Sequence, residues 1–216
     1  MVDKKSVKEA LTTLQEHKKK FVQTVELIVS LKDIDVKRTD QQVDFYTTLN
    51  HDRGKEVKIC ALVGPELADE AKKVFDRTIL QSEFEKVASD KREIKKLASE
   101  YEYFVAQANI MGQVASAFGR VLGPRGKMPN PKAGCVVPPK TALQPIYDRL
   151  LRTVRVRNKG TAMIQVAVGK EDQESEHVVD NVLHVYEGLV HNLPQDVNNV
   201  KTVYLKLTMS PVVKVD

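Results

Sequence analysis

Val57-Lys58-Ile59-Cys60-Ala61-Leu62-Val63, closed by Gly64-Pro65, interrupts the texture of this 216-residue chain. Six of its seven residues before the glycine are apolar, with no alternation. Such a run suits a strand buried on both faces of a parallel sheet. Glu66 to about Phe75 follows as a helix, Ser82 to Ser99 reads as further helix, and Tyr103-Phe104-Val105-Ala106 is a second short apolar strand. Met111 to Phe118 is a short helix. Strand, helix, strand, helix is the α/β pattern.

Outward from this centre the style changes. Thr24 to Leu31 alternates, with Val25, Leu27, Val29 and Leu31 on one face and Thr24, Glu26, Ile28 and Ser30 on the other. That is a half-buried strand. Ser6-Val7-Lys8-Glu9 has capping-box spacing and is expected to open a helix before it. Val43 to Leu49 alternates again, and Thr141 to Leu151 is helical. Val154 to Arg157 and Thr161 to Val168 are expected to pair through a turn at Asn158-Lys159-Gly160. Ser175 to Leu193 is a long amphipathic helix, with Val178, Val182, Tyr186, Leu189 and Leu193 on its inner stripe. Val200 to Met209 is the last strand, with Thr202, Tyr204, Lys206 and Thr208 facing water. The two ends therefore belong together and the middle is an insertion. The expected fold is mixed α/β in two domains, one discontinuous (1–54 with 153–216) and one inserted (55–152).

The composition, 42% hydrophobic and 29% charged, is that of an ordinary globular protein. No apolar run approaches the roughly 20 residues of a membrane span, and no apolar stretch follows Met1-Val2-Asp3-Lys4-Lys5 as in a secretory leader. No membrane partner is expected. Cys60 and Cys135 are far apart in sequence and form neither a disulfide framework nor a zinc motif, which fits a reducing cytoplasm. The net charge is +5, but between Tyr103 and Lys170 eleven bases accompany a single acid, Asp148. That concentration points to a polyanionic partner, or to an ordinary solvated surface.

The densest part is Gly119 to Pro139, with four of the ten glycines and five of the nine prolines. It is expected to be neither helix nor central strand. Arg120, Arg125, Lys127 and Lys132 project from it, with no acid among them. It is not a nucleotide phosphate loop. Gly126-Lys127 is followed by Met128 rather than Ser or Thr, and Val121 stands where the first glycine belongs. His177, His184 and His191 are seven residues apart on one helix. Seven residues rise roughly 10.5 Å, too far for neighbours to share a metal ion. No metal, cofactor or catalytic residue is expected.

The stretch Gly119-Arg120-Val121-Leu122-Gly123-Pro124-Arg125-Gly126-Lys127-Met128-Pro129-Asn130-Pro131-Lys132-Ala133-Gly134 closely resembles the signature of the universal ribosomal L-one family, the proteins of the large subunit's mobile lateral stalk. The likeness continues through Met111-Gly112, Cys135-Val136-Val137-Pro138-Pro139, Lys20-Phe21-x-x-Thr24-Val25-Glu26, Thr39-Asp40-Gln41, Val166-Ala167-Val168-Gly169-Lys170 and Thr208-Met209-Ser210-Pro211. These blocks stand in family order over nearly the whole chain. The Lys-Met-Pro and Cys-Val-Val-Pro-Pro variants are of archaeal type.

The resemblance implies a split β-α-β domain from both termini and an inserted Rossmann-like domain. It implies a structural protein of the large ribosomal subunit, monomeric when free of RNA, with large-subunit rRNA, exit-site tRNA and its own mRNA as partners. It further implies help in releasing that tRNA, and repression through an rRNA-like site on the mRNA. Carried onto this chain, the family's RNA-contacting residues are Lys20, Phe21, Thr24 and Glu26 together with Thr202, Thr208, Met209 and Ser210. Ser210 stands where many relatives carry glycine, so a close backbone approach there is in question.

The residues themselves allow this placement. Hydroxyls and a carboxylate on adjacent wet strand faces can meet ribose 2′-OH groups and base edges. Lys20 can meet phosphate, and Met209 can follow a ribose or base surface. The plainer alternatives are that Phe21 is core and that the threonines are only good strand formers. Arg120, Arg125, Lys127 and Lys132 form a secondary set that would touch rRNA or tRNA or else shape the inserted domain and its junction; Arg155 and Arg157, on one strand face, join the set as candidates for RNA rather than core. Two other functions stay open at this point: a nucleotide-binding enzyme using the inserted domain, and a free-standing translational repressor.

Overall fold

The computed structural model describes every residue except Met1, Thr39, Asp40, Lys159 and Asp216. The Thr39-Asp40 block and the middle of the expected Asn158-Lys159-Gly160 turn lie outside the described residues. The chain forms two compact units, Met1–Lys55 with Arg152–Asp216, and Glu56–Leu151.

The first unit contains α1 (Lys4–Gln15), β1 (Thr24–Leu31) and β2 (Asp44–Thr48), then β7 (Thr153–Arg157), β8 (Met163–Lys170), α7 (Ser175–His191), β9 (Val200–Leu207) and β10 (Val213–Lys214). Helix α1 begins two residues before Ser6. The Ser6 hydroxyl instead accepts from the Asp3 N–H at 3.1 Å, inside the first turn. The main sheet runs β10-β9-β1-β8 and every pair is antiparallel. Val25, Leu27, Val29 and Leu31 of β1 join Val7, Leu11 and Leu14 of α1 and Val178, Val182 and Leu189 of α7 in one core. Both helices thus cover one face, and the alternate residues of β1 stay half-exposed on the other. A bulge skips Val168 of β8 between the Val25 and Glu26 pairings, which adds local twist beside Glu26.

The expected β7–β8 hairpin is absent among the described residues. Strand β7 pairs with β2, whereas β8 pairs with β1. The reason is nonlocal: Val154 and Val156 reach the core from a separate two-stranded sheet, and Ile164 and Val166 reach it from the main one.

The second unit contains β3 (Ile59–Val63), α2 (Ala68–Val74), β4 (Arg77–Leu80), α3 (Phe84–Ser89), α4 (Lys91–Glu100), β5 (Tyr103–Gln107), α5 (Met111–Leu122), β6 (Val136–Val137) and most of α6 (Gln144–Arg152). Its sheet is parallel throughout, in the order β4-β3-β5-β6. All five residues of β3 are fully buried. Cys60 and Leu62 pack with α3, α4 and α5; Ile59, Ala61 and Val63 alternate to the opposite face. The mixed α/β class read from the sequence is the class observed.

Two details differ from expectation. The Ser82–Ser99 helix is two helices, divided where the Asp90 carboxylate accepts the Arg92 and Glu93 N–H groups at 2.8 and 3.3 Å. Helix α5 runs on to Leu122, so Gly119 and Arg120 are helical and only the remainder of the glycine- and proline-rich stretch is loop. Phe118 and Leu122, four residues apart and both buried, carry the helix through Gly119. Val136 and Val137 then add an edge strand, which the prolines on either side allow.

Candidate nucleic-acid interface

Strands β1 and β9 are neighbours. Glu26 lies opposite Lys206, Ile28 opposite Tyr204 and Ser30 opposite Thr202. The ladder ends at Leu207, so Thr208 belongs to the turn after β9 rather than to the strand. The Ser210 hydroxyl makes that turn by accepting the Leu207 N–H at 2.8 Å and donating to the Pro211 carbonyl at 2.8 Å. Thr208 is nevertheless beside β1, because its Oγ1 accepts the Thr24 N–H at 3.2 Å. Thr24 and Thr208 are therefore side by side, as a shared platform requires. Thr202 is not with them. It faces Ser30 six residues along β1, about 20 Å away at strand rise.

Around the Thr24–Thr208 contact the surface is apolar and wet at once. Phe21 is 54% exposed and Met209 65%, so neither is core. Val22 and Val212 are also exposed. Lys20 stands exposed beside Phe21, and Lys206 donates to the Thr208 carbonyl at 3.4 Å. Glu26 is held by Gln165 of β8, whose Nε2 donates to its Oε2 at 2.6 Å. A carboxylate so oriented keeps lone pairs for another donor.

Sequence reasoning missed two residues here. Gln165 shows only as one polar residue in an alternating strand. Gln23, fully buried between Val22 and Thr24, accepts the Met209 N–H at 3.0 Å through Oε1. The available signal was its place two residues before Val25, where the inward side of the alternation, carried back by one step, meets a polar residue.

In the second unit the four bases of the glycine- and proline-rich stretch, one on α5 and three in the loop, divide. Arg125 donates to the Lys95 carbonyl and the Ser99 hydroxyl, both at 3.1 Å, and Lys127 donates to the Tyr101 carbonyl at 2.7 Å. Those two fasten the loop to α4 and its end. Arg120 and Lys132 are exposed. Gly134 turns the loop at φ +72°, and an added Cβ would fall 1.6 Å from the Arg149 guanidinium. In the first unit Arg155 grips the Asp44 carboxylate with two nitrogens and lies over the Tyr46 ring. Arg157 shares its face, half-buried.

No group of three metal-ligating side chains exists among the described residues. His177 stacks on His51, and His184 meets the Thr47 hydroxyl at 3.1 Å. Burial pushes the Cys60 thiol up to about 12 and the Cys135 thiol up to about 11, so both stay unreactive. An open groove of about 910 Å³ beyond the ends of β3 and β4 is lined by Leu80, Phe84, Gln81, Gln113 and Glu85, with no base among its lining residues. It does not suit a phosphate. No helix among the described residues is long and apolar enough to cross a membrane.

Residues 13–211 match the ribosomal protein L1p/L10e family. The chain is 39% identical over 197 residues to large ribosomal subunit protein uL1 of Thermococcus kodakarensis, covering 91% of this chain and 89% of the relative. It is 41% identical over 202 residues to the uL1 protein of Nanoarchaeum equitans, covering 92% and 93%. With the uL1 protein of Thermofilum pendens it shares 36% over 212 residues, covering 97% and 91%.

Proposed function

The chain belongs to the ribosomal protein L1p/L10e family, and from that premise we propose that it docks stalk rRNA on the surface where the end of β9 meets the start of β1. It is a structural protein of the large ribosomal subunit, located on the cytoplasmic ribosome, and not an enzyme. The finer reading concerns which atoms meet RNA. The observation that carries it is the Thr24 N–H bonded to the Thr208 hydroxyl, which joins the two stretches of the proposed site. Phe21 and Met209 supply exposed apolar area for a ribose or base face. Thr208 and Glu26 supply acceptors for ribose hydroxyls, and Lys20 and Lys206 supply phosphate contacts. Thr202 is too far along the ladder for this surface. Ser210 acts by shaping the turn.

The same surface would accept an rRNA-like site on the protein's own mRNA, giving repression when free protein accumulates. Arg120 and Lys132, the exposed bases of the second unit, are the residues we assign to exit-site tRNA. Binding to a transcribed stalk rRNA fragment tests the first claim. Nanomolar affinity that falls steeply with salt is expected, with much weaker binding to duplex DNA of matched sequence. Thr208→Val should weaken RNA binding about tenfold, the worth of one good hydrogen bond to a polar partner. Equal affinity for the DNA would defeat the ribose-hydroxyl reading. Competition by the mRNA leader for the rRNA fragment tests the regulatory claim; independent binding of both would refute a shared surface.

A further inference from the structure

We propose that Gln23 is a positioning residue that locks the two halves of the RNA surface into one geometry. The inference rests on the proposed docking surface and adds to it a residue that touches no RNA. Gln23 is fully buried, in the segment between Phe21 and Thr24. Its side chain reaches three places. Nε2 donates to the His17 carbonyl at 3.2 Å, just past α1, and to Glu171 Oε2 at 3.2 Å, just past β8. Oε1 accepts the Met209 N–H at 3.0 Å, in the turn after β9. Its main-chain carbonyl accepts the Glu171 N–H at 3.0 Å.

Both amide hydrogens and the oxygen are thus engaged, and only one orientation of the amide allows it. A flipped amide would turn its oxygen toward a carbonyl and a carboxylate, and its NH₂ toward an N–H. The Met209 turn has two ties to the β1 side, this one and the Thr24–Thr208 bond. The Thr24–Thr208 bond uses a side chain that RNA also competes for on the proposed reading. The Gln23 bond is buried and does not. Hence Gln23 holds the Met209 turn at a fixed distance from Phe21 whether or not RNA is present. Preorganisation of this kind lowers the ordering cost of binding.

Two sets of variants test this on the full chain, with the stalk rRNA fragment as probe. Gln23→Met keeps the volume and removes all three bonds. It should weaken RNA binding about tenfold and leave the salt slope unchanged, since no phosphate contact is lost. Hydrogen exchange at the Met209 amide should quicken. Gln23→Glu keeps an acceptor for Met209 but sets a carboxylate against Glu171 and the His17 carbonyl, and should also weaken binding. The double variant Gln23→Glu with Glu171→Gln restores a donor facing an acceptor at residue 171, though not at the His17 carbonyl, and should recover part of the affinity. If Gln23→Met does not fold, the swap pair decides. Wild-type affinity in the single variants, with Met209 deprotected, would overturn the positioning role. So would failure of the swap to recover. Met209→Ala is the reference: if wild type binds the RNA and Met209→Ala does not weaken it, the docking surface itself is wrong rather than Gln23's part in it.

Discussion

Glu26 is an acid on a surface proposed for a polyanion, and its sign makes it informative. Beside phosphate, neutralising it would relieve repulsion and tighten binding. Facing a ribose hydroxyl it is a charge-assisted acceptor, about twice as strong as a neutral one. Gln165 already fixes one oxygen at 2.6 Å, so the carboxylate cannot swing far. Glu26→Gln should therefore weaken binding of the rRNA fragment about fivefold, for a difference of about 1 kcal/mol, with an unchanged salt slope. Tighter binding would place phosphate there instead. The two cysteines make a separate residue-scale claim about stability. Burial is the main cause of both raised values, with Arg77 near Cys60 and the Asn130 N–H at Cys135 pulling the other way. An unfolded chain ionises its thiols near about 8.5. Above that pH the unfolded state sheds protons that the folded state keeps until about 11 to 12. Stability from this source is thus complete below about pH 8.5 and declines above it. In denaturant titrations from neutral to alkaline pH, wild type should lose stability faster than Cys60→Ala; parallel curves would contradict the shift.

Arg155 and Arg157 sit two apart on β7, and at the element scale they have different work. Arg155 closes the β2–β7 ladder on Asp44 and is only a quarter exposed, whereas Asp44 is nearly half exposed. Screening limits such a pair to about 1 kcal/mol. Arg155→Ala should lower the unfolding free energy by about that much and leave the salt slope of RNA binding as it was. A reduced slope would show that Arg155 contacts phosphate after all. Strand partners of this kind were beyond the sequence. The alternation of β1 and the apolar run of β3 were legible because burial imposes a local period. The β7–β8 hairpin was misjudged because adjacency in the chain favours a pairing that the core assigns elsewhere. Strand β4 left no signal: Arg77-Thr78-Ile79-Leu80 is a four-residue edge with Ile79 alone fully buried. At the site, Thr24, Glu26 and the Phe21 neighbourhood were readable. A strand carried two residues too far, to Met209, placed Thr208 on it, since nothing local announces that Ser210 will take the Leu207 N–H. Gln23 was marked only as a polar residue in line with the inward side of β1; its partner Met209, 186 residues away, was not legible.

The two units have separate cores with no residue in common, and the whole molecule should behave accordingly. In the first unit the chain leaves and returns at one place: Thr48 pairs with Thr153, and the Leu49 N–H donates to the Arg152 carbonyl at 2.9 Å. Removing residues 56–151 and joining the stubs with a short glycine-serine linker therefore closes a loop whose ends are already together. Loop closure costs little extra as length changes, about 0.6 kcal/mol per doubling. The shortened protein keeps α1, α7 and all four strands of the main sheet around an intact core. It should unfold in a single transition, where the full chain shows two. It should also bind the rRNA fragment within about tenfold of the full chain, because Lys20, Phe21, Thr24, Glu26, Thr208 and Met209 all lie in the part retained. Its salt slope should be shallower if Arg120 and Lys132 also meet that fragment, and equal if they are reserved for a different RNA. A folded first unit that does not bind, judged by circular dichroism and a titration with the same RNA, would move the primary surface to the second unit and its cationic loop.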